Sequence, residues 1–375
     1  MNRLFSILLL AIFATASLLS AADEAPPELG IPPGEEQPIE GQIFRVSEMV
    51  AGADWGVLKL NAPAAWKVTK GKGVRVAVLD TGVDVNHPDL APRIADPADL
   101  KDFSNSPFGV VDKQGHGTHC AGSVLASGPL PGCAPEASLI VAKVLGDKGS
   151  GGVDGIAKGI RWSVSRNADI ISMSLGGPRA DSFIPPALAE AEAAGVIVFA
   201  AAGNEGPGAN TVGFPGGYPL CVTVGAVDTR LNTANFSSRG SAVFVAAPGV
   251  NIRSTYPGGQ YATMSGTSMA TPNLAGVCAL WIAAHPEIAK VDRPKAWREA
   301  LKNACTDLPP NGRDVGTGWG FPDAAKLVAG SVTPPLPPAP LNEIRFGPSD
   351  FTATGLAKLR ALNPKLDGFA FPIKP

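Results

Sequence analysis

Val74-Arg75-Val76-Ala77-Val78-Leu79-Asp80-Thr81-Gly82 reads as a strand that ends on a carboxylate. The run is apolar and rich in valine, broken only by Arg75, which predicts a strand buried on both faces. Thr81-Gly82 closes it, and Asp80 stands where strand gives way to turn. Runs of the same kind recur at residues 139–145, 170–175, 196–202, 221–226 and 243–247. Helical patterns over residues 116–126, 153–166 and 186–194 separate several of them. This alternation predicts an α/β fold: a three-layer, doubly wound, mostly parallel sheet with helices on both faces. In such sheets ligands bind outside the carboxyl ends of the strands. Asp80, residues 146–151, residues 174–178 and Gly203-Asn204-Glu205-Gly206 all follow strands. The polar and glycine-rich segments therefore gather at one edge.

Ser265-Gly266-Thr267-Ser268-Met269-Ala270-Thr271-Pro272 reads as a tight loop opening a helix that runs to His285-Pro286, with Pro272 expected in the first turn. Ser268 then lies at a helix N-terminus, where free N–H groups favour negative charge. On this stretch alone it is equally a nucleophile or an ordinary N-cap. A nucleophilic serine needs a base, and the chain has four histidines. His87 and His285 precede prolines and read as turn or surface residues. In Gly115-His116-Gly117-Thr118-His119-Cys120, His116 lies on the loop side and reads as the base. His119, one turn into the helix, reads as a packed, hydrogen-bonded residue. No carboxylate is interleaved between them, which argues against a zinc helix. Asp80 is the natural carboxylate to orient the base, or else a turn cap.

Val76-Ala77-Val78-Leu79-Asp80-Thr81-Gly82-Val83-Asp84, His116-Gly117-Thr118-His119, Ala202-Gly203-Asn204-Glu205-Gly206 and Gly266-Thr267-Ser268-Met269-Ala270 resemble, in this order, the four signatures of the subtilisin-like serine proteases (subtilases, peptidase S8 family). The resemblance runs from about Trp55 to Gly330. It implies an exported serine endopeptidase acting through an acyl-enzyme, with Asp80, His116 and Ser268 as the triad and Asn204 in the oxyanion hole. In subtilisin itself, losing such a donor costs about 100- to 1000-fold in rate. It also implies that substrate is held as an added strand between Gly149-Ser150-Gly151 and Ser174-Leu175-Gly176. Gly176, Glu205 and Gly213 would wall the S1 pocket, suiting large apolar or aromatic P1 residues and, through Glu205, admitting Lys. Two departures stand out. The family's tight calcium loop corresponds to Ser127 to Ala134, which lacks its asparagine and contains two prolines. Asp89 matches one calcium ligand without its companions, and an acidic position of the weaker cation site falls on Phe244. The usual calcium site is expected to be lost, which leaves a structural calcium open only elsewhere in the fold. Secondly, residues 23–54 are too few and too acidic for the family's folded propeptide. Two other readings, a catalytically silent binding protein and a lipase or esterase, fit less well. All four motif positions are intact, and the serine lacks a G-x-S-x-G context.

The 375 residues suit one large domain with tails, and the formal net charge of −2 speaks against nucleic acid as a partner. Polypeptide substrates and a monomer are expected. Arg3, an apolar run from Leu4 to Leu19 and Ser20-Ala21-Ala22 read as a signal peptide over residues 1–22, predicting a secreted or periplasmic protein with no membrane span after its removal. Residues 23–54 form an acidic, Pro-rich segment, of which residues 23–40 are expected to be disordered and 43–50 to be a short ordered piece. The catalytic domain is expected over residues 55–330, followed by a Pro-rich linker at 331–340 and a tail at 341–375. Five cysteines, Cys120, Cys133, Cys221, Cys278 and Cys305, are expected mostly as buried free thiols, with room for one bridge.

Overall fold

The structure is a computed structural model that describes residues 28–31, 43–45 and 52–330. The expected signal peptide, linker and tail lie outside the described residues. The strands are β1 (Glu28–Gly30), β2 (Ile43–Phe44), β3 (Arg75–Asp80), β4 (Leu100–Asp102), β5 (Ser138–Lys143), β6 (Ser150–Gly152), β7 (Ile170–Met173), β8 (Ile197–Ala201), β9 (Cys221–Val227), β10 (Val243–Pro248), β11 (Ile252–Tyr256) and β12 (Gln260–Met264). The helices are α1 (Trp55–Lys59), α2 (Ala62–Ala65), α3 (His116–Leu125), α4 (Val153–Ser165), α5 (Ile184–Ala193), α6 (Thr267–Ala284), α7 (Arg293–Ala304) and α8 (Ala324–Ala329).

Seven strands form one sheet in the order β10-β9-β8-β7-β3-β5-β4, every neighbouring pair parallel. Side chains alternate between its faces, as the pleat requires. Val76, Val78, Leu139 and Val141 pack with Val124 of α3, Leu274 of α6 and Trp297 of α7. Ala77, Leu79, Ile140 and Ala142 pack with Ile156 and Ile160 of α4 and Leu188 of α5. The result is the expected three-layer α/β fold. From β3 the chain passes to the edge strand β4, comes back to β5 beside β3, and then crosses β3 to β7 on its other side. That reversal sets the crevice at the carboxyl end of β3. Helix α6 is apolar all round and buried from Thr267 to Ile282, as a helix inside a domain must be. Among the described residues no helix is long and apolar enough to cross a membrane.

The expected runs match the observed elements except at their ends. The hairpin β11–β12, joined through Pro257-Gly258-Gly259, was not anticipated. Ile-Arg-Ser-Thr-Tyr is only half apolar, and its Ser254 and Thr255 hydroxyls are spent on the His119 and Thr118 carbonyls of α3, at 2.7 and 2.8 Å. A second correction concerns residues 23–40, expected to be disordered: Glu28–Gly30 is a strand, paired antiparallel with β6. Pairing partners far away in sequence override a composition that would bury little by itself. Ile43–Phe44 pairs with β12, and Asp54 caps α1 through the Gly56 N–H at 2.9 Å.

Candidate active site

Asp80 ends β3 and His116 opens α3. Gly115, the N-cap, has φ 102°, and a Cβ there would meet the Tyr256 ring at 2.2 Å, so only glycine serves. With no side chain at the cap, the first helical N–H groups find partners elsewhere. His116 N donates to Gln114 Oε1 at 2.7 Å, Gly117 N to Thr81 Oγ1 at 2.9 Å and Thr118 N to Asp112 Oδ2 at 2.9 Å. His116 Nδ1 lies 2.8 Å from Asp80 Oδ1, with both side chains buried. The Thr81 N–H donates to the same oxygen at 2.7 Å. A carboxylate only accepts, so Nδ1 carries the proton and Nε2 is the basic nitrogen of the neutral ring.

Ser268 is the second residue of α6, and Gly266 is its N-cap. Pro272 lies beyond the first turn, inside the helix, which corrects the expected placement. A proline there has no N–H for the carbonyl four residues back. That carbonyl belongs to Ser268, and it accepts instead from Ser174 Oγ at 2.8 Å and Cys120 Sγ at 3.5 Å. Ser268 Oγ in turn donates to the Ser174 carbonyl at 3.2 Å. Asn204 follows β8, and its Oδ1 accepts from Thr267 N at 3.0 Å and Thr267 Oγ1 at 2.9 Å. This orientation makes the Nδ2 end the amide's donor side.

At this edge the backbone of Gly149, Ser150 and Gly151 faces that of Gly176 across a channel the width of one strand, while Ser174 and Leu175 are buried. The chain's own β1 lies between them. Glu28, Leu29 and Gly30 pair with Gly152, Gly151 and Ser150. Gly30 N donates to Gly176 O at 3.1 Å, Gly176 N to Gly30 O at 2.7 Å, and Ile31 N to Gly149 O at 3.1 Å. Leu29 is 1% exposed and belongs to the apolar cluster beneath α4 and α5. Further along, Gly213 N donates to Ala202 O, and Gly213 packs against the backbone of Gly177. Glu205 is exposed, and its Oε2 accepts from Ser238 Oγ at 2.6 Å. Residues 71–320 match the model of the subtilase family, Peptidase_S8.

The chain belongs to the subtilase family of serine endopeptidases. It is 44% identical over 246 residues to an intracellular serine protease of Paenibacillus polymyxa, covering 64% of this chain and 76% of that one. It is 43% identical over 245 residues to subtilisin E of Bacillus subtilis, covering 64% of this chain and 63% of that one. A subtilisin of Bacillus pumilus is 43% identical over 238 residues, covering 62% of this chain and 85% of that one.

The other histidines of this subtilase have structural surroundings. His119 Nε2 lies 3.0 Å from Ile252 O and 3.2 Å from Ala262 O, tying α3 to the hairpin. Burial, and then the neighbouring His116, push its pKa down to about 3, so the ring is neutral. His87 and His285 are buried, not surface residues. Their Nε2 atoms meet Gln260 O at 2.9 Å and Leu327 O at 3.0 Å. All five cysteines are free thiols. Burial pushes Cys120 up to about 11 and Cys221 and Cys305 up to about 12. Asp80, His116 and Cys120 bring three ligand types within 4.8 Å of one another. Yet Asp80 and His116 are in direct hydrogen-bond contact, closer than two ligands spanning an ion, and the thiol is protonated. The calcium region fits a metal no better. Asp89 Oδ2 accepts the Tyr261 phenol at 2.7 Å, and its carbonyl accepts both Ser127 N and Ser127 Oγ.

Proposed function

We propose that this subtilase cleaves peptide bonds through Asp80, His116 and Ser268, with an acyl-enzyme on Ser268 Oγ. In this reading Ser268 Oγ attacks the carbonyl carbon and His116 Nε2 takes its proton. Asp80, which accepts from Nδ1–H, stabilises the imidazolium. Asn204 Nδ2 and the Ser268 N–H meet the oxyanion, and the imidazolium then protonates the leaving amine. Water repeats the sequence to release the acid.

The observation that carries this reading is β1 in the channel. An extended peptide is held there by backbone pairs to Gly149–Gly152 on one side and to Gly176 on the other. A substrate strand needs the same hydrogen bonds. The segment therefore occupies the place of a substrate and has to leave before one enters. Residues 1–22 support export.

The pocket next to Gly176 and Gly213 offers no side chain from either residue, which favours Phe, Tyr, Leu or Met at P1. Burying such a side chain is worth about 1.5–3 kcal/mol, or roughly 10- to 150-fold over a small residue. Glu205 is exposed and already holds Ser238, so Lys is tolerated rather than preferred. The test is kcat/KM across tetrapeptide anilides that differ only at P1. Apolar P1 residues should lead and acidic ones come last. A strict preference for Arg or Glu would overturn the pocket assignment.

A further inference from the structure

Asp112 lies between β4 and α3, outside every motif that marks the site. Its side chain is 3% exposed and accepts five hydrogen bonds. Oδ1 takes Thr81 Oγ1–H at 2.9 Å, Gln114 N–H at 3.0 Å and Gly115 N–H at 2.8 Å. Oδ2 takes Thr118 N–H at 2.9 Å and Thr118 Oγ1–H at 2.7 Å. The donors come from two separate pieces of chain. One is the residue that follows Asp80. The other is the turn and first helical turn that carry His116. Thr81 Oγ1 also accepts Gly117 N–H, closing a ring of hydrogen bonds around the two catalytic positions. The other side of Thr81 is held as well: Lys143, fully buried at the end of β5, donates Nζ to the carbonyls of Thr81 and Val111 and pairs with Asp147 at 3.0 Å.

We propose that Asp112 is a positioning residue for the peptidase reaction: by joining Thr81 to the first turn of α3, its carboxylate holds Asp80 and His116 at hydrogen-bonding separation. The contact of His116 Nδ1 with Asp80 is set by where β3 ends and where α3 begins, and Asp112 is the side chain that touches both. Without it, three backbone N–H groups and two hydroxyls lose their acceptor, and α3 loses the cap that Gly115 cannot supply. A misplacement of about 1 Å in a catalytic pair costs about 100-fold. None of the five donor groups belongs to residues 149–151 or 174–176, so the loss is expected in kcat more than in KM.

Asp112 has this role only if Asp80 and His116 are the catalytic pair, so wild-type activity and its loss in His116→Ala are measured alongside. The experiment compares the full-length wild type with Asp112→Ala, Asp112→Asn and Thr81→Val. It reads kcat and KM on one tetrapeptide anilide, thermal unfolding, and the far-downfield proton resonance of the His116 Nδ1–H to Asp80 bond. Asp112→Ala should lose about 30- to 100-fold in kcat with KM nearly unchanged, and the downfield resonance should move or vanish. Asp112→Asn should lose less, because the amide keeps one acceptor oxygen but turns a donor toward Thr118. Thr81→Val removes only the bridging hydroxyl at nearly constant shape. It should reproduce part of the kcat loss even if Asp112→Ala does not fold. Folded variants with a lower melting temperature, wild-type kcat and an unmoved resonance would reduce Asp112 to a structural cap and overturn the proposal. An active His116→Ala would overturn the triad assignment and the role of Asp112 with it.

Discussion

At Ser268 the helix gives up one of its own hydrogen bonds, because Pro272 has no N–H to offer the Ser268 carbonyl. Ser174, just beyond β7, fills the vacancy and so fixes the backbone of the serine. His119 does comparable work on α3. Its ring meets the carbonyls of two hairpin strands from a fully buried position, and its pKa is depressed to about 3. His119→Ala should therefore cost stability, about 1–3 kcal/mol in denaturant unfolding, because both carbonyls lose the imidazole and a buried ring leaves a cavity. The pH dependence has a definite sign. The unfolded state takes up a proton below about 6.5 and the folded ring does not, so the stability His119 supplies is present above that pH. It is lost as pH falls toward 3, at up to about 1.4 kcal/mol per pH unit. His119→Ala should flatten the acid limb of the stability curve, and an unchanged slope would contradict a neutral, buried His119. The meeting of Asp80 with His116 was legible in the motifs that surround both. Asp112 carries no such mark: a lone aspartate in a loop shows its five donors only once β3 and α3 are brought together.

Elements were legible in proportion to how local their cause is. β3, β5, β7, β8, β9 and β10 announce themselves because a central parallel strand is apolar on both faces. β1 does not: three residues in a Pro- and Glu-rich stretch carry no periodicity, and its pairing partners lie over a hundred residues away. The loop from Ser127 to Ala134 is the clearest departure from the calcium pattern that the family resemblance implied. Leu130, Cys133 and Ala134 are buried there, and Gly132 N and Cys133 N bond to carbonyls at the end of α3. Asp89 is held by Tyr261, whose phenol burial keeps protonated and donating. EDTA should therefore lower the unfolding temperature by no more than about 2 °C, a shift that corresponds to about 1 kcal/mol for a domain of this size. A large drop reversed by added calcium would show a metal site elsewhere in the fold.

At the scale of the whole molecule, β1 shares an apolar core with the central sheet, α4 and α5. Leu29 is buried at the channel, and replacing it by Asp would bury an unpaired charge. Burial of leucine is worth about 1.5–3 kcal/mol, so Leu29→Asp should weaken occupancy of the channel by at least about tenfold. Measured on intact chain of verified mass, its apparent KM for a peptide anilide should fall. An unchanged KM would mean that β1 does not compete with substrate. The central claim is that Ser268 is activated by His116 and Asp80. The most direct measurement is labelling of the purified protein with a fluorophosphonate probe, followed by peptide mapping, with Ser268→Ala and His116→Ala as controls. One adduct, on Ser268, is expected in the wild type. None is expected in Ser268→Ala and almost none in His116→Ala, with thermal unfolding close to wild type in both. Equal labelling of wild type and Ser268→Ala, or no labelling of a folded wild type even with Leu29→Asp opening the channel, would contradict the claim.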